Sequence, residues 1–121
     1  MLPASPDSLL LLHNPRCSKS REAKALLDAR GVAYQERRYL EAPLSRAELA
    51  ELARRLGRPV REWTRSQEPA YAALRLATPA PNDSLLDALA RNPELLERPI
   101  LVRGERAVVG RPPGAILELL A

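Results

Sequence analysis

Four consecutive leucines, Leu9–Leu12, stand between Ser8 and the breakers His13-Asn14-Pro15. A short apolar run closed on both sides by turn formers predicts a buried strand. After a turn, a helical segment is expected from about Ser18 to Arg30. Ala23, Leu26 and Leu27 recur there at i, i+3 and i+4, and Gly31 supplies the stop. Residues 33–40 read as a second strand. It is polar and holds Tyr34 and Tyr39, so one face should be wet. Ser45 and Glu48 have the spacing of a capping box and open a second helix. Its apolar stripe is Leu49, Leu52, Ala53 and Leu56, and Gly57 ends it. Residues 59–98 are mostly helical in pattern, broken at Pro69, Pro79, Pro81 and Pro93. Asn82-Asp83-Ser84 is the expected N-cap ahead of Leu85, Leu86 and Leu89. Residues 99–103 and 106–109 are strand candidates on either side of Gly104-Glu105, a hairpin turn signal. Pro112-Pro113 can open a last helix, with Ile116, Leu117 and Leu120 facing inward.

The order is β-α-β, a helical insert, then β-β-α. A βαβ unit requires a parallel pair, whereas the short turn at 104–105 makes the last two strands antiparallel. The simplest closure is an α/β, thioredoxin-like plan. It is a four-stranded mixed sheet flanked by helices, with a helical insert at about residues 43–97 between the βαβ and ββα halves. Neither an internal repeat nor a linker interrupts the pattern, so residues 1–121 read as one domain. Hydrophobic residues make up 45% of the chain and charged ones 28%, enough apolar surface to offset chain entropy. The run Leu9–Leu12 falls far short of the roughly 18 residues of a membrane span. Met1–Ser8 holds two prolines and an aspartate with no basic segment, so no signal peptide is expected. A soluble, cytoplasmic protein with no membrane partner is the expectation.

Charge narrows the partners. The formal net charge is +4, and seventeen of the nineteen basic residues are arginine. Arginine is always protonated and presents a planar fork that matches oxyanions, which favours a small anionic ligand. Nucleic acid is not an expected partner. The bases are interleaved with acids, and with no Phe, one Trp and three Tyr there is no stacking platform. Trp63 reads as a core or interface anchor. Cys17 is the one cysteine, which excludes a disulfide framework within the chain, a Cys-only metal site and a Cys-x-x-Cys pair. With His13 the one histidine, no metal and no bound cofactor is expected. Any thiol chemistry has to run through one sulfur and an external partner.

The stretch His13-Asn14-Pro15-Arg16-Cys17-Ser18-Lys19-Ser20-Arg21 carries the candidate chemistry. A thiol at the start of a helix faces unpaired backbone N–H groups and the positive end of the dipole. Both favour thiolate over thiol, and Arg16, Lys19 and Arg21 add cationic field. The same donors can hold a tetrahedral oxyanion beside the sulfur, so one turn could activate a nucleophile and bind its substrate. The competing reading makes Cys17 a small buried hydrophobe. Polar and cationic flanks on both sides argue against it. His13 either hydrogen-bonds structurally or, as an imidazolium, helps hold the thiolate. Arg98 precedes a proline that opens an apolar strand, and Arg111 follows Gly110 at the end of the hairpin.

This stretch resembles the ArsC family of glutaredoxin-dependent arsenate reductases. The likeness continues through Tyr39-Leu40-Glu41-Ala42-Pro43, Arg65 to Tyr71 and Leu74, Asn92 to Ile100, and Gly110-Arg111-Pro112-Pro113. The resemblance implies that Cys17 is the nucleophile and that His13 helps activate it. It implies that Arg65, Arg98 and Arg111 cradle the oxyanion, that Ser20 hydrogen-bonds the sulfur, and that Arg98-Pro99 is a cis peptide. Arg65 rests on the resemblance alone, with Arg61 as its neighbouring substitute. The implied activity is reduction of arsenate to arsenite, with glutathione as co-substrate and glutaredoxin as protein partner. Lys19, two residues after the nucleophile, is an added charge that can tune oxyanion affinity. The chain also stops soon after the last expected helix, where some family members run on. Two other readings stay open. One is a glutathione-dependent thiol oxidoreductase of ArsC-like type without arsenate as its natural substrate. The other is an Spx-like regulator that binds RNA polymerase without catalysis. Asn14 and Ser20, three residues either side of Cys17, leave that branch's Cys-x-x-Cys switch unfilled.

Overall fold

The computed structural model describes residues 2–120. The leucine run forms β1 (Leu9–His13), all five residues buried. Successive side chains of a strand point to opposite faces, so a continuous leucine run suits a strand covered on both sides. Leu10 and Leu12 join Ile100, Val102, Leu49, Leu52 and Trp63 in the larger core. Leu9 and Leu11 join Ala23, Leu27, Leu101, Ile116 and Leu119 on the other face. Helix α1 (Ser18–Ala29) and β2 (Gln35–Arg38) complete the βαβ unit, with β2 parallel to β1. Strands β3 (Ile100–Arg103) and β4 (Arg106–Val109) are antiparallel to their neighbours. The sheet order is β2-β1-β3-β4, the mixed thioredoxin-like arrangement expected from the pattern. Gly104, with φ +57°, supplies the left-handed turn between β3 and β4.

Between β2 and β3 lie α2 (Arg46–Leu56), a 3-10 turn at Val60–Trp63, α3 (Pro69–Leu74), α4 (Asn82–Arg91) and a second 3-10 turn at Pro93–Leu95. The capping box at α2 is present in full. Glu48 N donates to Ser45 Oγ at 3.1 Å and Ser45 N donates to Glu48 Oε1 at 3.0 Å. Glu48 also receives both Arg37 terminal nitrogens, at 2.7 and 3.0 Å, while Arg37 donates to the carbonyls of Ala42 and Pro43. One guanidinium thus ties the end of β2 to the start of α2. Arg46 links α2 to α4 through Asp83 and Asp87.

Three local expectations are corrected. The second strand is shorter than residues 33–40, because the chain turns after Arg38 and buries Tyr39 in the core. Helix α4 starts at Asn82 itself, with Pro81 as the flanking residue and no side-chain cap. Asn82 Oδ1 instead accepts from Val60 N at 3.4 Å, tying α4 to the preceding turn. The last helix is a 3-10 helix, Pro113–Leu119, with Pro113, Ile116 and Leu119 buried. Three residues per turn stack i, i+3 and i+6 on one face, so Leu117 and Leu120 are only half-buried.

Near the site the insert is joined to the sheet by a short antiparallel bridge. Thr64 pairs with Leu96, Arg65 N donates to Leu95 O at 2.7 Å, and Glu97 N donates to Trp63 O at 3.0 Å. Trp63, Leu95 and Leu96 anchor it, all buried in the core. The Arg98–Pro99 peptide is cis, as the resemblance implied, and Arg111–Pro112 is cis as well.

Gly110 packs directly on this corner. Its N–H donates to Pro99 O at 2.8 Å, and a Cβ at position 110 would lie 2.7 Å from Pro99 Cγ and 3.0 Å from Ile116 Cγ2. Neither obstacle is the free end of a flexible chain. Gly110→Ala is expected to lower stability by about 1–3 kcal/mol, the range for an overpacked site, measured by urea unfolding. A second expectation concerns Glu48, whose pKa the Arg37 guanidinium lowers from 4.5 to about 2 against the opposing effect of burial. A depressed carboxylate contributes stability that is complete above its unfolded pKa and is lost as pH falls through the folded value. That contribution is on the order of 3 kcal/mol. Glu48→Gln keeps a capping side chain but removes the charge. The melting-temperature gap between wild type and this variant should be largest near pH 7 and close toward pH 2.

Candidate active site

Cys17 is the N-cap residue of α1, in extended conformation (φ −94°, ψ 125°), and its side chain caps nothing. The sulfur is partly exposed and unbonded to any other cysteine. No acidic residue occupies the first turn of α1, so the positive end of this helix is not neutralised from within. Asn14 shapes the turn. Its carbonyl accepts from Cys17 N at 3.0 Å, and its Oδ1 accepts from Arg16 N at 3.0 Å. The hydrogen-bond partner of the sulfur is Arg111, whose Nη2 lies 3.7 Å from Cys17 Sγ across 94 residues of sequence.

His13 and Ser20 lie beneath this turn. Nδ1 of His13 and Oγ of Ser20 are 2.7 Å apart, and Asn14 N donates to the same Oγ at 3.0 Å. His13 is 2% exposed, and Ser20 is fully buried. Burial lowers the His13 pKa from its ordinary value. Glu36 opposes the shift, and the nearby charges of Lys24, Arg38 and Arg21 reinforce it. Desolvation therefore favours the neutral imidazole, whose Nδ1 is engaged with Ser20 Oγ. Ser20, expected beside the sulfur, has its oxygen engaged by His13 and Asn14 instead.

Arg65 and Arg111 converge on one cleft, and Arg98 meets Arg111 through its backbone carbonyl. Arg111 Nε donates to Arg98 O at 2.9 Å and lies 3.4 Å from Glu97 Oε1. Arg65 Nε is 4.0 Å from the same oxygen, and Arg65 also pairs with Glu68. Arg65, Arg111, Glu97 and Glu68 line one open cleft of about 540 Å³ with Thr64, Ser66 and Gln67. Arg98 is half-buried, and its Nε and Nη1 are enclosed without a hydrogen-bond partner among the described residues. Buried cationic donors left unpaired are costly. Arg61 lines a different cleft, with Tyr71, Pro79 and Leu85, so Arg65 rather than Arg61 is grouped with Arg111.

Two residues near the site were not singled out by sequence reasoning. Glu97 is the carboxylate the arginines share. Tyr39 is 1% exposed. Burial pushes its pKa up, with Asn14 and Arg65 opposing the rise and Cys17 and Glu97 adding to it. Both residues fall within stretches that carry the family likeness, Tyr39 opening one and Glu97 directly preceding Arg98 in another. Among the described residues no group of three His, Cys, Asp or Glu side chains could hold a metal ion, and no helix is long and apolar enough to cross a membrane.

A family model described as the ArsC family matches residues 12–119, which includes Cys17, Arg65, Arg98 and Arg111. The chain belongs to the ArsC family. Within it, the chain is similar to "Arsenate reductase" of Neisseria meningitidis serogroup A, at 44% identity over 104 residues, covering 84% of this chain and 89% of that protein. It is also 43% identical over 112 residues to "Uncharacterized protein YfgD" of Escherichia coli K12, covering 91% and 94% of the two chains. Among solved structures it resembles "Arsenate reductase from Vibrio cholerae", with a TM-score of 0.84 and 42% identity over 93% of this chain and 97% of that one.

For this ArsC-family chain the buried imidazole makes a pH prediction. Because the folded pKa of His13 lies below the unfolded value of about 6.5, the unfolded state takes the proton first. The contribution of neutral His13 to stability is complete above that pH and is lost as pH falls through the folded value. His13→Asn, which can still hydrogen-bond Ser20, should lose less stability than wild type between pH 7 and pH 5 in thermal melts. Parallel losses would show that the ring does not titrate in this way.

Proposed function

We propose that the protein is a cytoplasmic arsenate reductase that uses Cys17 as its single nucleophile, with glutathione and glutaredoxin as reductants. The observation that carries this reading is the Arg111 guanidinium 3.7 Å from a sulfur at the start of α1, beside an arginine with unmet buried donors. A cationic donor on the sulfur stabilises the thiolate. The same cluster stabilises charge building on the oxygens of a tetrahedral oxyanion under attack. In the proposed reaction the Cys17 thiolate attacks arsenic(V), forming an S–As bond as one arsenate oxygen leaves as water. Glutathione then adds its thiol to the arsenic with loss of a second water. A glutaredoxin thiol attacks the glutathione sulfur, and the electron pair of the broken S–As bond stays on arsenic as arsenic(III). Hydrolysis of the remaining bond frees arsenite and returns Cys17.

Arg65, Arg98 and Arg111 hold the oxyanion in this scheme. His13 and Ser20 hold the turn in shape from below. An external thiol is required because Cys17 is the one cysteine of the sequence. The test is arsenate-dependent NADPH consumption with glutathione, glutathione reductase and glutaredoxin. Turnover should need all three components and vanish in Cys17→Ser. Arg98→Ala or Arg111→Ala should each lower kcat/KM by about 100-fold, the scale for loss of one charge-stabilising donor. No turnover, with Cys17 still alkylating readily at neutral pH, would move the reading to another thiol substrate.

A further inference from the structure

One carboxylate oxygen joins the segments of the proposed oxyanion site. Glu97 Oε1 lies 3.4 Å from Arg111 Nε and 4.0 Å from Arg65 Nε, and it accepts from Arg98 N at 3.2 Å. The backbone beneath it is fixed, since Glu97 N donates to the carbonyl of buried Trp63. The Glu97 side chain is 25% exposed and lines the cleft with both arginines, so it meets whatever enters. Arg111 reaches both groups, with Nε toward the Glu97 carboxylate and Nη2 toward Cys17 Sγ.

An internal carboxylate in that position acts in two opposing ways. It holds two guanidiniums near each other that would otherwise repel, which pre-organises them. It also cancels about one unit of the positive charge that an incoming oxyanion would feel. We propose that Glu97 is a specificity-determining counter-ion, an intramolecular anion that competes with the substrate oxyanion for Arg65 and Arg111. It sets the positive potential met by an anion approaching Cys17. The inference rests on the proposed function in taking these arginines as the oxyanion's partners. Under it the site admits an anion that outcompetes one carboxylate, and the uncharged arsenite product has no hold on the arginines once Glu97 resumes its contacts.

The experiment uses the full chain and two reagents that alkylate the same sulfur. Iodoacetate carries a negative charge and iodoacetamide none, so the ratio of their rate constants cancels the thiolate fraction and reports the local potential. Glu97→Gln keeps an Oε1 acceptor for Arg98 N but removes the charge, whereas Glu97→Asp keeps the charge and changes the reach. At low ionic strength the ratio should rise on the order of tenfold in Glu97→Gln and stay within about twofold of wild type in Glu97→Asp. Sulfate, an unreactive tetrahedral dianion, should protect Cys17 from iodoacetamide at correspondingly lower concentration in Glu97→Gln. An unchanged ratio in Glu97→Gln with native circular dichroism overturns the proposal. So does an equal rise in Glu97→Asp, which would make the effect one of shape. A wild type that fails to reduce arsenate yet shows the expected ratios removes the arsenate reading and leaves this one standing. Arsenate turnover with flat ratios does the reverse.

Discussion

Antiparallel pairing of β1 with β3 is the constraint on which the site depends. The register sets Leu12 against Ile100, so the chain leaving β1 toward Cys17 emerges beside the chain about to begin β3 at Arg98-Pro99. Pairing of β3 with β4 sets Ile100 against Val109, which brings Gly110 and Arg111 to the same end of the sheet. The sulfur and two of its candidate arginines are therefore neighbours because of strand register alone. A slip of one residue would carry each strand side chain to the opposite face of the sheet and take Arg98 and Arg111 out of step with Cys17.

The third arginine arrives by a separate route. Arg65 lies in the helical insert, where the bridge between Thr64 and Leu96 sets it beside the segment that leads into β3. Buried Trp63, Leu95 and Leu96 hold that bridge, so its strength comes from packing, while its outer side presents Arg65 and Glu97 to the cleft. This gives Trp63 a function beyond filling space: its carbonyl fixes the backbone of Glu97. The thioredoxin-like sheet supplies the sulfur and two arginines, and the insert supplies the opposite wall.

Much of this was legible in the chain because it rests on local rules. The leucine run, the Ser45–Glu48 capping box and the Gly104-Glu105 turn each act within a few residues, and each appears where the pattern put it. The family likeness named Cys17, Arg65, Arg98 and Arg111, and the geometry brings Arg111 to the sulfur and Arg65 and Arg111 to one cleft. What escaped the reading is non-local. The burial of Tyr39 depends on the chain turning inward after Arg38, and Asn82 is drawn to Val60 N, twenty-two residues back. Leu117 and Leu120 were assigned to the core on an α-helical period, and a segment opened by two prolines took a 3-10 period instead. Glu97 was hidden for another reason: a glutamate among many interleaved charges becomes distinctive only when two arginines from distant segments close on it.

The arrangement around Cys17 separates the holding of shape from the supply of charge. His13, Ser20 and Asn14 form a buried hydrogen-bonded group, and the imidazole in it is favoured neutral by desolvation. A neutral ring cannot supply the field that stabilises a thiolate. The Arg111 guanidinium, 3.7 Å from the sulfur, can. An imidazolium in that place would weaken as pH rises through its own pKa, just where a thiol is becoming easier to ionise. A guanidinium imposes no such conflict, but its strength invites non-productive anions. Under the proposal for Glu97, the carboxylate set against the same guanidinium answers that problem at the point where it arises.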